Sequence, residues 1–256
     1  DFVNLHCQTS FSLLDSLIEP IELFKRAKEL QQSSVAITDH GSLASVWKAY
    51  KVSKDIGVKL IIGCELYFQE NTDDKLRHII LLAKNAAGYK NLLTLNRKGF
   101  DESGFIGKKV YSVVNWNLLE QYSEGLICLT ACGNGIISQL LSSGKIDEAE
   151  KTLLRLKSIY QDNLGIEIQA NNMERNQSFF SERIDQKFLN RKLIDFGKKH
   201  NIKIVATSNS HYLLKEEHKV HDVLLAIGSH QPVYSNFRLK YNVPDFYLKS
   251  GEEIKS

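Results

Sequence analysis

The sequence predicts an α/β protein of the barrel type, with strands and helices in alternation and strands paired in parallel. Apolar, β-branched runs recur along the chain, and amphipathic stretches at helical spacing lie between most of them. At 256 residues the chain is long enough to bury one large core, and about seven such units make a closed or nearly closed barrel.

Each element follows from a local pattern. The strand-like runs are Phe2–His6, Ser34–Thr38, Lys59–Phe68, His78–Ala83, Gly125–Thr130, Gly165–Gln169 and Ile202–Ala206. Pro20 suits the first turn of a helix because its φ is fixed and it needs no N–H partner, and Ile21, Leu23, Phe24, Ala27 and Leu30 form the apolar stripe behind it. Further helices are expected at Leu43–Ile56, Ala86–Lys98, Lys145–Gln161 and from about Ser178 to His200. Asp101–Val110, rich in Gly and Lys, reads as a mobile surface loop. Gly133-Asn134-Gly135 stands before a helix and offers backbone to a phosphate, but a lone Gly-x-Gly is better read as a turn.

Composition excludes several classes. A hydrophobic share of 43% against 25% charged is ordinary globular usage, and the net charge of +3 is a weak pointer to an anionic partner. No apolar run is long enough to span a membrane, and the N-terminus lacks a basic-then-apolar leader pattern, so a cytoplasmic chain is expected. Cys7, Cys64, Cys128 and Cys132 show no small-domain spacing and read as thiols, with Cys128 in the core and Cys132 just past a strand, where a ligand can sit. The chain starts at Asp1, has Met173 as its single methionine, and ends just after Leu248–Ser256 begins a helical pattern. It reads as one domain cut from a longer polypeptide.

In a parallel barrel, functional groups collect where strands end. His6, His40, Glu65, Cys132, Asn171, Asn209 and His211 all fall at or just after expected strand C-termini. His78 instead opens its run, so either that strand runs the other way or its boundary lies elsewhere. Asp39-His40-Gly41 fits a turn with a helix cap as well as a ligand. Glu65 emerges from a buried strand and must be paired or metal-bound, with metal the favoured reading. His211 serves as ligand or cap. His200, His218, His221 and His230 lie on helices or polar stretches and read as surface or packing residues. No aromatic–basic groove is legible, so binding of single-stranded DNA is expected to be weak and steeply salt-sensitive. No paired carboxylates on adjacent strands suggest nucleotidyl transfer.

Five segments together carry a resemblance: Phe2-Val-Asn-Leu-His-Cys-Gln-Thr-Ser-Phe-Ser-Leu-Leu-Asp15, Ala36-Ile-Thr-Asp-His-Gly-Ser-Leu43, Gly63-Cys-Glu-Leu-Tyr67, His78-Ile-Ile-Leu-Leu-Ala-Lys-Asn-Ala-Ala-Gly-Tyr-Lys-Asn-Leu92 and Val205-Ala-Thr-Ser-Asn-Ser-His-Tyr212. In that order they resemble the PHP (polymerase and histidinol phosphatase) domain at the N-terminus of bacterial replicative DNA polymerase III alpha subunits. The resemblance implies a distorted (β/α)7 TIM-like barrel with up to three metals, zinc, manganese or iron, and 3′–5′ exonuclease or phosphoesterase potential where the site is intact. Its ligand positions fall on His6, Gln8, Asp15, His40, Glu65, His78, Cys132, Asn209 and His211. Where the family has histidine and aspartate, this chain has Gln8 and Asn209, and an amide oxygen is a poor ligand for a zinc-like ion.

By the same resemblance His6, Gln8, Asn209 and a bridging Glu65 would share one metal, Glu65, His78 and Cys132 a second, and Asp15, His40 and His211 a third. Asn171 would line the site. The implied partners are the remainder of the alpha subunit, whose palm would follow the last twenty or so residues, DNA through that enzyme, and a separate proofreading exonuclease. Three readings follow. The leading one is a partly degenerate barrel with fewer than three metals, acting mainly as scaffold and lacking a polymerase active site. Against it stand an active metal-dependent 3′–5′ exonuclease and a free-standing histidinol-phosphatase-like phosphoesterase.

Overall fold

Most of the apolar runs become strands, and their order shows how the chain closes on itself. The computed structural model describes residues 2–71, 74–102, 105–106, 109–173 and 185–255. Its strands are β1 (Ser34–Ile37), β2 (Lys59–Phe68), β3 (Arg77–Ala83), β4 (Phe105–Ile106), β5 (Lys109–Val110), β6 (Val113–Val114), β7 (Leu126–Leu129), β8 (Leu164–Gln169) and β9 (Lys203–Thr207). The main sheet runs β1-β2-β3-β7-β8-β9, with β6 pairing the far end of β2.

Strand β3 departs from the expectation of parallel pairing throughout. It is antiparallel to both β2 and β7, while β1–β2, β7–β8 and β8–β9 are parallel. The segment between β2 and β3 is too short for a helical crossover, so the chain can only turn back. His78 therefore reaches the same end of the sheet as the C-termini of β2 and β7, which settles its place at the start of a run.

The Phe2–His6 run is not a regular strand. Residues 4–8 form isolated bridges to both edges of the sheet instead. Ala36 N donates to Asn4 O and Thr38 N to Cys7 O on the β1 side, and Gln8 N donates to Ser210 O beyond β9, each at 2.9 Å. Six strands plus this segment make a seven-staved, distorted barrel.

The helices are α1 (Pro20–Glu29), α2 (Val46–Ile56), α3 (Ala86–Glu102), α4 (Trp116–Gln121), α5 (Ile136–Ser142), α6 (Ile146–Tyr160), α7 (Gln186–His200), α8 (His218–Gly228) and α9 (Gly251–Lys255). Helix α7 starts at Asp185, whose carboxylate accepts from Phe188 N at 2.9 Å. The earlier part of the expected Ser178–His200 helix, 178–184, lies outside the described residues. The expected loop Asp101–Val110 holds the end of α3 and the β4–β5 ladder, with 103, 104, 107 and 108 outside the described residues. Gly133-Asn134-Gly135 is a turn closed by Gly135 N donating to Cys132 O at 2.8 Å. A Cβ on Gly135 would stand 2.2 Å from Thr130 O, so only glycine fits.

Strand alternation sorts the core. Ile79 and Leu81 join Leu66, Cys128, Leu153 and Leu193 in the cluster under the helices, while Ile80 and Leu82 join Ala36, Leu129 and Ala131 in a second cluster. Cys128 is fully buried, as expected for a core thiol. No helix among the described residues is long and apolar enough to cross a membrane.

Candidate metal centre

Four chain segments converge on Glu65, which β2 carries as a 1% exposed residue. Its Oε1 lies 2.8 Å from His78 Nδ1, and its Oε2 lies 3.2 Å from His6 Nε2 and 3.3 Å from His40 Nδ1. Cys132 Sγ stands 3.6 Å from Glu65 Oε1 and 3.5 Å from His78 Nδ1, so Glu65, His78 and Cys132 present three donor atoms to one point. A second group lies beside it: Asp15 Oδ2 is 3.0 Å from His40 Nε2 and 3.2 Å from His211 Nε2. Asp15, His40 and His211 form one possible cation-holding group, and His40, Glu65 and His78 another. His40 faces both, a double role the sequence did not reveal.

Burial and charge oppose each other in this cluster. Burial works against a charged His6, but Glu167 and Glu65 on its two sides outweigh it and push its imidazole up to about 10. Burial likewise opposes charge on His40, and Glu65 with Asp15 raises it to about 9. Burial would raise the carboxyls of Asp15 and Glu65, yet the surrounding imidazoles hold both well below the usual range. Burial and the Glu65 charge push the Cys132 thiol well up.

The loops that carry these side chains are held in unusual backbone. Leu14 just before Asp15 has φ 60°, Ala131 just before Cys132 has φ 62°, and Asn209 itself has φ 49°. Left-handed backbone costs a non-glycine residue about 1–2 kcal/mol, and here it clusters on the turns that carry Asp15, Cys132 and Asn209. Gly41, at φ +55°, takes the same conformation without that cost directly after His40. Asp39 anchors the region: its buried carboxylate accepts from Thr9 N at 2.6 Å, Ser12 Oγ at 2.9 Å and Ser45 Oγ at 2.5 Å, tying the loop before Asp15 to the turn after β1.

The set His6, Gln8, Glu65 and Asn209 is arranged differently. Gln8 Nε2 donates to Glu65 Oε2 at 2.6 Å, and Gln8 Oε1 accepts from Ser12 Oγ at 2.9 Å. His6 Nδ1 lies 2.7 Å from Glu167 Oε1. Every polar atom of Gln8 and His6 is thus engaged within the protein, while Asn209 Oδ1 is buried without a hydrogen-bond partner. Asn171 lines a second cavity of about 490 Å³. Its Nδ2 donates to Gln169 Oε1 at 3.1 Å, and Gln169 donates to Glu167 at 3.2 Å, so it reaches His6 only through a chain of side chains.

Sequence reading missed one group. Glu167, 1% exposed in β8, braces His6 and accepts from Thr207 Oγ1 at 2.6 Å. A carboxylate inside the apolar run Gly165–Gln169 was the available signal, the one that exposed Glu65. His221 is fully buried on α8, a packing residue and not a surface one, and Asp15 O accepts from its Nε2 at 2.7 Å. Its ring is nearly parallel to that of Tyr241, with centroids 5.7 Å apart. His200 pairs with Glu150, His218 bonds Tyr241 O, and His230 is exposed.

Asp15, His40 and His78 open onto a cleft of about 1270 Å³, with Lys75, Arg77 and Lys240 also on its wall. Imidazoles, carboxylates and a thiol gathered at one end of the strands are groups of the kinds that can hold a metal ion. The family profile described as the PHP domain matches residues 4–171, and the chain belongs to that family. It is 36% identical over 98% of its length to the DNA polymerase III subunit alpha of Aquifex aeolicus, and 32% identical over 99% to that of Borreliella burgdorferi. It covers 22% of each, so the chain spans about a fifth of the length of these relatives. An amidohydrolase from Chromobacterium violaceum shares the fold, with a TM-score of 0.54 at 13% identity over 82% of this chain and 88% of that one.

Proposed function

We propose that this chain is the N-terminal PHP domain of a bacterial replicative polymerase alpha subunit, one that holds metal at two ligand sets and serves chiefly as a scaffold for the polymerase. The observation that carries the reading is the 2.6 Å hydrogen bond from the Gln8 amide to Glu65, which fills with a neutral donor the place where a third set would need a ligand. An NH₂ group offers no lone pair to a cation, and an ionised Glu65 keeps it turned that way.

The other two sets suit a cation. Asp15 Oδ2 and His40 Nδ1 are buried without a hydrogen bond although ring nitrogens or carboxylate oxygens stand within 3.0–3.3 Å of them. Donor atoms that crowd together without hydrogen-bond alignment are arranged as ligands are. Imidazole, carboxylate and thiol together fit zinc, iron or manganese, and a divalent ion there supplies Lewis acidity and positive charge for phosphate oxygens. His40 and Cys132 must give up protons to ligate, so uptake is coupled to pH. Glu65 orients His78 and His40 from one carboxylate, and His221 holds the loop of Asp15 by its backbone carbonyl.

The second reading, a metal-dependent 3′–5′ exonuclease, is favoured by the open cleft beside Asp15, His40 and His78 with basic side chains on its wall. Its substrate would be the end of a DNA strand. DNA, the rest of the alpha subunit and a separate proofreading exonuclease are the partners both readings imply. Metal analysis of the purified chain beside an exonuclease assay, with and without chelator, separates them. Metal without turnover supports the scaffold, and chelator-sensitive degradation of a 3′ end supports the nuclease.

A further inference from the structure

We infer that the outward face of α2 is a stacking platform for single-stranded DNA that leads to the rim of the metal cleft. Trp47 and Tyr50, one turn apart, are 67% and 45% exposed, and their rings stack with centroids 6.0 Å apart and planes 20° from parallel. Lys51 Nζ stands 5.6 Å from the Trp47 ring centroid and Lys54 Nζ 5.5 Å from that of Tyr50. Linear reading hid this pattern, because ring and cation meet only at the i, i+4 spacing of a helix.

Continuity with the site comes from Lys48 and Phe11. Lys48 Nζ lies 5.9 Å from the Phe11 ring, and Phe11 lines the cleft with Ala44, one turn before Trp47. Lys48 is already paired with Glu19 at 2.7 Å, whereas Lys51 and Lys54 have no carboxylate partner among the described residues. Two large apolar rings in water are costly to expose unless something covers them. Aromatic faces interleaved with ammonium groups match a strand that offers bases and phosphates in alternation, and charge complementarity favours it over an apolar protein partner.

The test uses the whole chain in EDTA, so that its outcome does not depend on the metal reading. Anisotropy of a labelled dT12 oligonucleotide measures affinity, and tryptophan emission reports Trp47, since Trp116 is only 7% exposed. We expect quenching on binding and an affinity that falls about sevenfold between 50 and 200 mM salt, the effect of two phosphate contacts. Trp47→Ala should weaken binding at least about fivefold while Trp47→Phe retains it, and Lys51→Gln with Lys54→Gln should flatten the salt dependence. Circular dichroism confirms that these surface variants fold. Binding unchanged by Trp47→Ala overturns the inference. So does an RNA of equal length binding more tightly, or sedimentation showing that Trp47 instead joins two copies of the chain.

Discussion

Gln8 and Glu65 meet through a 2.6 Å hydrogen bond, with the amide NH₂ of one turned onto a carboxylate oxygen of the other. The same oxygen, Oε2, lies 3.2 Å from His6 and 3.3 Å from His40. The Gln8 amide is thereby engaged within the protein, and the nearby imidazoles and carboxylates form two groups, Asp15, His40 and His211 and His40, Glu65 and His78, that share His40.

Restoring the ligand types should reverse this. The double variant Gln8→His with Asn209→Asp is expected to bind more metal than the unaltered chain and to gain or raise metal-dependent 3′–5′ exonuclease activity, with each single change doing much less. Ligands to one ion act as a unit, which makes the singles non-additive. Elemental analysis and a 3′-labelled DNA substrate check it. A folded double variant with no added metal would show that the barrel has drifted away from a three-metal geometry.

Glu65→Gln should empty the Glu65, His78 and Cys132 set and also destabilise the metal-free chain. His6, His40 and His78 would lose the carboxylate that they crowd around, and breaking such a buried pair costs about 3–5 kcal/mol. Urea unfolding at neutral pH in EDTA measures it, and a loss below about 1 kcal/mol would show that the Glu65 carboxylate is not holding these side chains together.

His221→Leu should lower occupancy at Asp15, His40 and His211 more than at Glu65, His78 and Cys132. The variant removes the donor to Asp15 O at 2.7 Å and frees a loop whose Leu14 already sits at φ 60°. Cobalt titration followed by absorption distinguishes a set with thiolate from one without. Equal loss at both sets would make His221 a general packing residue.

Asp222 and Arg238 provide a pH test away from the metal centre. The Arg238 guanidinium, 2% exposed, meets both carboxylate oxygens at 2.8 and 2.7 Å. Burial would raise the Asp222 carboxyl, but Arg238, helped by Lys240 and His218, lowers it. A lowered folded pKa contributes stability that is present above the unfolded value of about 3.9 and disappears as pH falls through the folded value. Asp222→Asn should therefore cost about 3 kcal/mol at neutral pH and converge with the unaltered chain in strong acid. Denaturant midpoints across that range check the convergence.

How far the sequence reached depends on what each element carries in its own residues. The seven staves were legible because each apolar run is local, and His40, Glu65 and His211 were legible because each stands just past such a run or inside it. The reversal of β3 was not, since a strand's direction depends on the length of the connection before it and on the neighbours it meets. The Phe2–His6 run looked like a strand because burial between β1 and β9 demands the same apolar residues as a ladder. Glu167 was overlooked although its setting, a buried carboxylate inside an apolar strand, matches that of Glu65.

The central claim, two workable metal sets and one replaced by amides, is tested most directly by counting and locating metal in the dialysed chain. Elemental analysis joined to anomalous diffraction should find fewer than three equivalents, placed at Asp15, His40 and His211 and at Glu65, His78 and Cys132. Three tightly held equivalents, or metal liganded by Gln8 and Asn209 with the other sets empty, would contradict the account.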